Sequence, residues 1–419
     1  MQKFGGVVIP MQLSLDKEEL KKIIYLIGTA DGICAMQKLP VKEPFDKKTE
    51  EFLNEVSKIL MADNRTKIYS DVMTFAFWIR KANVEQLKRQ FERKDNYLRL
   101  GKGLAFHIAP SNVPVNFAFS LVVGLLTGNS NMVRVPSKEF GQVKIIVEAM
   151  QKALSKPEYQ EINPYIALIR YERDRQINNV LSKMADIRVI WGGDSTIEEL
   201  RYSVIPPRCT EITFADRYSL AVIDSDVYLE IKEKDRVAEN FYNDTYFSDQ
   251  NACTSPRVII WTGKRKEEAK QVFWEKLHSL VEQKYVFQPI KAINKLTSAC
   301  LAAVGLPNCE LEKYVDNLII RVKISEITEQ LMEYKDHSGY FLEYNCDNIF
   351  DIRPLCDNKR CQTIGIIGNK EQIYRLIQLG IKGIDRVVPI GKTMDFDMVW
   401  DGYDLISQMT RIVKIEENG

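Results

Sequence analysis

The stretch from Phe247 to Trp261 reads FSDQNACTSPRVIIW and sets a cysteine in a polar turn, between a helix-like and a strand-like run. Asp249, Gln250, Asn251, Thr254 and Ser255 flank Cys253, and Pro256 disfavours helix at the residue before it. In such a turn a thiol can be partly exposed, with backbone N–H groups aimed at its sulfur. Those donors stabilise a thiolate and can hold an oxyanion, which is the chemistry of nucleophilic acyl transfer. The plain alternative, a small residue tolerated in a loop, is left open by the turn alone. The other seven cysteines read as packing residues, and no C-x-x-C pair signals a disulfide framework or a zinc site. His107, His278 and His337 are never four residues apart, so a metal-free mechanism is the default expectation.

A second constellation runs from His107 to Glu139, HIAPSNVPVNFAFSLVVGLLTGNSNMVRVPSKE. The pattern reads as a strand ending at Ala109, a Pro-rich turn carrying Asn112, a buried helix to about Leu126 and a second strand ending in VRVPSK. Strand ends of a parallel sheet face the crevice where nucleotides bind, which places Asn112, Arg134, Ser137 and Lys138 for a cofactor or substrate. No G-x-G-x-x-G follows the first strand, so a nicotinamide cofactor would be held without the usual fingerprint. WGGDSTIEEL offers a phosphate site instead: Gly192 and Gly193 allow close backbone approach after a strand, and Ser195 or Thr196 would cap the next helix. Such turns also occur without a ligand.

These residues need a scaffold, and the chain can supply one. Its 419 residues, 45% of them hydrophobic, predict two or three domains with substantial cores. Lys+Arg of 58 against Asp+Glu of 57 leaves a net charge of +1, so no global field favours nucleic acid or an anionic membrane. The longest apolar run, Val115 to Leu126, is shorter than the roughly 20 residues needed to span a bilayer. The first residues lack the features of a secretory signal, and a cytoplasmic location is expected. Leu15 to Leu60 and Asn83 to Arg93 carry apolar residues at helical spacing. From Leu104 short apolar runs alternate with helices, which argues for a parallel sheet flanked by helices, and a second α/β series follows Asp226. The expected division is a helical segment over 1–100, a cofactor lobe over 101–225, a lobe carrying Cys253 over 226–384 and a C-terminal segment over 385–419.

Taken in order, HIAPSNVPVN, TGNSNMVRVPSK, WGG, SDQNACTSPR and GIDRVVPIGKTMDFDMVWDGYDLI resemble the LuxC family of acyl-thioester reductases, a branch of the aldehyde dehydrogenase superfamily. The resemblance covers about Leu104 to Ile415. It implies an aldehyde-dehydrogenase-like α/β fold: two Rossmann-type parallel-sheet lobes, a helical N-terminal segment and a C-terminal oligomerisation segment. It also implies that Cys253 attacks an acyl thioester and that hydride from a nicotinamide cofactor reduces the acyl-enzyme to an aldehyde. Asn112 falls at the superfamily's oxyanion-binding asparagine, with a turn-forming role as the alternative. Where relatives carry K-P-S-E, with a glutamate for the adenosine ribose, this chain has V-P-S-K. Lys138, reinforced by Arg134, would suit the 2′-phosphate of NADPH over NADH, although Glu139 follows directly.

The same resemblance matches Arg217 to the lysine of E-L-G-G-K, which puts Thr213 at the position of the hydrolytic glutamate. Glu211, two residues earlier, shares its strand facing and is the candidate base. His107 is a candidate proton donor or activator of Cys253, with a hydrogen-bonded core histidine as the alternative. Gln362, Thr363 and Arg386 belong to the resemblance without an assigned chemistry. The expected donor is acyl-CoA or an acylated partner protein, as delivered by an acyl-protein synthetase, and the expected assembly is a homo-oligomer, for which RIVKI near the end is a suitable edge strand. The competing readings are an aldehyde dehydrogenase working oxidatively and a non-catalytic scaffold subunit.

Overall fold

Strand-helix alternation from Leu104 onward builds a doubly wound sheet in the computed structural model, which describes residues 18–91, 97–110 and 113–416. Strands β1 (Ile24–Ile27) and β2 (Tyr97–Gly101) precede β3 (Leu104–Ile108), β4 (Ser130–Arg134), β5 (Ile166–Arg170), β6 (Ile187–Trp191) and β7 (Thr210–Phe214). Among the described residues the first sheet has six strands in the order β1-β5-β4-β3-β6-β7. β3 to β7 run parallel and β1 closes one edge antiparallel to β5. The chain winds outward from β3 to β5, then returns to β6 on the other side of β3. That reversal puts a crevice outside the carboxyl ends of β3 and β6.

The helix Asn116–Leu126 is apolar on all sides because it is buried on all sides, with nine of its residues inaccessible. The mostly helical pattern expected over Leu15 to Leu60 and Asn83 to Arg93 is met by Ala30–Met36, Lys47–Ala62 and Lys81–Phe91, and Ser70–Trp78 adds a helix between those stretches. It fails at IYLI and YLRLG, which are β1 and β2. IYLI, with two β-branched isoleucines and a tyrosine, suits a sheet edge better than a helix face, whereas YLRLG has no β-branched residue and is a strand through its pairing with Thr410–Lys414. Leu15 lies outside the described residues.

The second unit begins at Asp216, not after Asp226. Strand β8 (Tyr218–Asp224), expected in the cofactor lobe, is hydrogen-bonded between β9 (Pro256–Thr262) and the later β13, at the centre of the second sheet. Its near-continuous apolar run marks a strand buried on both faces, which fits either sheet, and only pairing decides between them. With β10 (Glu310–Lys313), β11 (Ile320–Ile324), β12 (Tyr340–Asn345), β13 (Cys361–Ile367) and β14 (Arg386–Pro389), the described residues give the order β10-β11-β12-β9-β8-β13-β14. All neighbouring pairs are parallel except β10 with β11.

The chain then crosses back: Asp397–Val399 and the residues from Tyr403 onward belong to the first unit, Trp400–Gly402 to the second. RIVKI is an edge strand: Thr410–Lys414 pairs on one side, antiparallel with β2, Thr410 opposite Gly101 and Lys414 opposite Tyr97, in a sheet of two strands among the described residues. No helix among the described residues is long and apolar enough to cross a membrane.

Candidate active site

In the second unit the residues that immediately precede parallel strands gather at one edge of the sheet. Arg217 comes before β8, Cys253 before β9, Asp336 to Gly339 before β12, and Asp385 before β14, so residues distant in sequence are collected by topology. The turn at Cys253 is held under constraint. Asp249 (φ 53°) and Gln250 (φ 56°) are both left-handed, a conformation that costs roughly 1–2 kcal/mol per non-glycine residue.

The surroundings impose that conformation. The buried Gln250 donates through Nε2 to the carbonyls of Pro256 (3.1 Å) and Tyr340 (3.3 Å), and its Oε1 accepts from the N–H groups of Gly339 (2.7 Å) and Tyr340 (3.2 Å). A second left-handed pair, Ser338 (φ 60°) and Gly339 (φ 88°), lies alongside, with Ser338 N–H donating to Asp249 O at 3.1 Å. Any Cβ at Gly339 would collide with the Tyr246 hydroxyl and the Leu318 carbonyl. Arg257 ties the two turns together by donating to Gln250 O, to Asp336 O (2.5 Å) and to His337 Nδ1 (2.9 Å).

Cys253 is half-buried. Burial pushes its thiol up, the Arg217 backbone N–H donating to the sulfur pulls it down, the charges of Asp216 and Asp401 raise it, and that of Arg257 lowers it. The resting group is therefore a neutral thiol. Its carbonyl accepts from Ser219 Oγ at 2.8 Å, which fixes the backbone beneath it. Cys346, Cys356 and Cys361, by contrast, are buried in the core of this unit.

The sequence reading missed Asp401, which lay hidden in a turn-forming WDG. It is buried, left-handed (φ 50°), and accepts from Gln362 Nε2. Burial pushes its carboxyl up to about 7, opposed by the charge of Arg217. Arg217 itself is ion-paired to Asp385. The role of Gln362 thus becomes visible: it orients a carboxyl whose charge reaches the thiol.

In the first unit, two expected catalytic residues prove structural. His107 is fully buried in β3, and burial depresses its imidazole to about 4, with the Asn131 hydrogen bond opposing. Asn131 donates its amide to Asn129 O (2.7 Å), so its Oδ1 faces His107 Nε2 (3.0 Å), which must carry the proton. His107 Nδ1 then accepts from Ser120 Oγ (2.7 Å), which itself accepts from Trp191 Nε1 (3.0 Å). The chain continues from Asn129 Nδ2 to Met409 O at 3.0 Å. Gly124 leaves room for it, because a Cβ there would strike Asn131 Oδ1. A neutral, doubly bonded imidazole is a strut, not a proton donor.

Glu211 is likewise committed. Burial alone would raise its carboxyl, but hydrogen bonds from Arg201 (2.8 Å) and Arg188 (2.9 Å) outweigh that and hold it below the ordinary range. Such a carboxylate is a poor general base. Asn112 lies outside the described residues.

At the carboxyl edge of the first sheet the cofactor candidates fall near strand ends. Arg134 ends β4, donates to Tyr171 O (3.2 Å) and stacks over the Tyr171 ring at 4.5 Å. Ser137 and the exposed Lys138 follow, the Lys138 ammonium 5.2 Å over the Phe140 ring. Glu139 turns to Arg170 Nη1 at 3.5 Å. Gly192 and Gly193 follow β6, and the helix Asp194–Arg201 begins on Gly193 with no side-chain cap. Ser195 and Thr196 lie inside that first turn and do not cap it, which corrects the expectation.

A nicotinamide dinucleotide fits this donor set. The place a Gly193 Cβ would occupy has no atom within 4 Å, leaving an open approach to helix N–H groups. Arg170 Nε is buried without a hydrogen-bond partner among the described residues. No group of three or more metal-ligating side chains occurs among the described residues.

Comparison with known proteins agrees with this architecture. The family model described as "Acyl-CoA reductase (LuxC)" matches residues 80–412. The chain is 26% identical over 333 residues to a long-chain acyl-protein thioester reductase of Photorhabdus luminescens, covering 76% of this chain and 64% of that one. It is 27% identical over 328 residues to the Vibrio harveyi protein of the same name, covering 75% and 63%. The alignment therefore spans less than two thirds of these relatives' length. Among solved structures, an aldehyde dehydrogenase from Brucella melitensis biovar abortus 2308 superposes with TM-score 0.65 at 14% identity, covering 96% of this chain and 89% of that one. An indole-3-acetaldehyde dehydrogenase complexed with NAD+ does so with TM-score 0.65 at 10% identity, covering 95% and 87%. The fold is that of the aldehyde dehydrogenases.

Proposed function

The chain belongs to the LuxC family of acyl-CoA reductases, and from that premise we propose that it reduces an acyl thioester to an aldehyde through an acyl group carried on Cys253. The observation that carries this reading is the constrained turn, in which a half-buried thiol receives the Arg217 backbone N–H, while Cys346, Cys356 and Cys361 of the same unit are buried in its core. The sulfur attacks the thioester carbonyl, the bond to the leaving thiol breaks, and the leaving group departs as a thiol, so one thioester replaces another.

Because burial keeps Cys253 protonated, the step needs a proton acceptor. Asp401, pushed up to about 7, has the strength for that near neutral pH. The Cys253 backbone N–H and the Asn112 side chain are assigned to the carbonyl oxygen as charge develops on it. When bound, the nicotinamide supplies a hydride. Lys138 and Arg134, with Gly192, Gly193 and Ser195 for the phosphates, support NADPH as the preferred form over NADH. The chain's remaining work is to keep water from the acyl group and release the aldehyde as its bond to sulfur breaks. The engagement of Glu211 by Arg188 and Arg201 supports reduction over an oxidative aldehyde dehydrogenase, which requires a carboxylate free to activate water.

The names of the relatives support a long-chain acyl group, delivered as acyl-CoA or on a partner protein. A homo-oligomer is supported by the two-stranded ribbon of β2 and Thr410–Lys414, since so small a sheet is marginal alone. A reactive thiol and a reduced nicotinamide both suit the cytoplasm. The test is to incubate the protein with a long-chain acyl-CoA and NADPH, following NADPH absorbance and the intact mass. An acyl adduct on the unmodified chain and none on Cys253→Ala is expected; no adduct and no NADPH loss would sink the reading.

A further inference from the structure

The helix Pro289–Gly305 in the second unit has two chemically different faces. Leu296, Ala299 and Ala302 pack inward on the core. The helix carries only two charged residues, and both are engaged with the body of the unit. Lys295 is buried and donates to the carbonyls of Asn317 (2.6 Å), Leu318 (3.1 Å) and Ser338 (2.7 Å), while Lys291 pairs with Asp249 at 2.7 Å. The outward face is therefore without charge, and it is apolar: Ile290 is 56% exposed, Ile293 60%, Leu301 59% and Val304 89%. Single exposed apolar residues are ordinary. Four in line on a helix so firmly anchored, with no charge among them, have the composition of an interface core.

Their spacing says what fits. Residues 290, 293, 297, 301 and 304 recur at intervals of three and four, so they form one stripe along two heptads. The stripe reads alike from both ends: Ile290 and Val304 lie seven residues from Thr297, Ile293 and Leu301 four, and Asn294 and Cys300 three, and all of them are exposed. A second copy laid antiparallel about a two-fold axis at Thr297 sets Ile290 against the partner's Val304, Ile293 against the partner's Leu301, and Asn294 beside the partner's Cys300 and the partner's Thr297. The Thr297 hydroxyl donates to Ile293 O in its own helix at 2.9 Å and keeps a lone pair for the partner's Asn294, so the polar groups at the centre find each other. An acidic or basic partner protein, a nucleic acid or an anionic membrane meets no counter-charge on this face. We infer that the outer face of Pro289–Gly305 is a homodimer interface, in which two copies pair these helices antiparallel about Thr297. The surface is separate from the ribbon of β2 and Thr410–Lys414 and does not depend on the reductase reading.

The register can be tested by cross-linking in the full chain. Asn294→Cys under mild oxidation should give a disulfide-linked dimer that joins position 294 to Cys300, read by non-reducing electrophoresis and peptide mass spectrometry. Adding Cys300→Ser should abolish that link. Thr297→Cys with Cys300→Ser, on the axis, should link to itself, and Glu282→Cys with Cys300→Ser, exposed elsewhere, should not. Sedimentation over two decades of concentration should show Ile293→Asp raising the dimer dissociation constant about 100-fold or more, because each copy brings one unpaired charge into the seam and each costs at least a factor of ten. Leu301→Asp, at the matching position, should do the same, and both side chains are exposed enough for the variants to fold. A chain that associates, ignores both substitutions and forms no link between 294 and 300 uses another surface and overturns the inference. A chain that stays monomeric overturns it and the ribbon's oligomer together. Flotation on phosphatidylcholine vesicles that Ile293→Asp abolishes, or a link that forms only once residues 1–17 are removed, would overturn it in favour of lipid or of the chain's own leading segment.

Discussion

Two buried arginines, one in each sheet, meet opposite fates. Arg188, 2% exposed in β6, gives its guanidinium to the Glu211 carboxylate, Ser182 Oγ (3.2 Å), Leu200 O (3.1 Å) and Ser203 O (2.7 Å). Arg257 is nearly as buried and makes a similar fan of hydrogen bonds, yet none reaches a carboxylate. The first is electrically complete and holds the sheet edge together. The second makes no ion pair among the described residues, and the charges of Asp336 and Asp216 reach it only from farther off. Burial alone therefore does not tell how a charge is met in this molecule; the partners of each guanidinium do.

The contrast can be broken most directly at the carboxylate and the thiol. Cys253→Ala should lower acyl transfer on the order of 10⁴-fold or more with little change in unfolding. Glu211→Gln should do the reverse, costing about 3 kcal/mol in urea unfolding because it strands a buried guanidinium, while adduct formation by the folded protein stays within about twofold. If Glu211→Gln instead slows adduct formation without loss of stability, the division between structural and functional charge fails.

A smaller effect sharpens the same point through pH. The folded value of His107, about 4, lies below the ordinary 6.5, so as pH falls the unfolded chain takes up a proton first. The stability it confers is whole above pH 6.5 and drains away toward pH 4, by about 3 kcal/mol at most. Urea titrations at pH 7 and pH 5 should show that slope in the unmodified protein and a flatter one in His107→Gln. Activity between pH 6 and 8 should carry no limb assignable to His107. The smallest effect is expected at the exposed Lys138, where Lys138→Glu should shift the NADPH over NADH preference in kcat/KM by about tenfold, near 1.4 kcal/mol. An unchanged ratio would move the 2′-phosphate elsewhere.

Much of this was legible in order alone. Cys253 stood apart from the other seven cysteines because its neighbours on both sides are polar and turn-forming, which left a packing role open until the family resemblance was added, and the second strand of the cofactor constellation ends at Arg134 as its apolar run ends. His107 and Glu211 were misjudged for a physical reason: a titratable residue near a strand end has the same local signature whether its neighbours leave it free or tie it down. Ser120, Asn131, Arg188 and Arg201, which tie these two down, come from other elements. Asp401 escaped because D-G is a turn signal, and its hydrogen-bond partner Gln362 is 39 residues away. Strand β8 was assigned to the wrong sheet because a run apolar on both faces carries no information about its neighbours.

The return of the chain's last segment to the first unit sets a schedule as well as a shape. Asn129 waits for the carbonyl of Met409, 280 residues later, and β2 waits for Thr410–Lys414. At usual rates of synthesis that gap is on the order of half a minute, longer than a small domain needs to fold. During that interval the first sheet is exposed on the ribosome with its polar relay unterminated, while the whole second unit is made in between. A ribosome stalled near residue 400 should therefore hold a first unit that is still open to proteases, and release of the last few residues should close it.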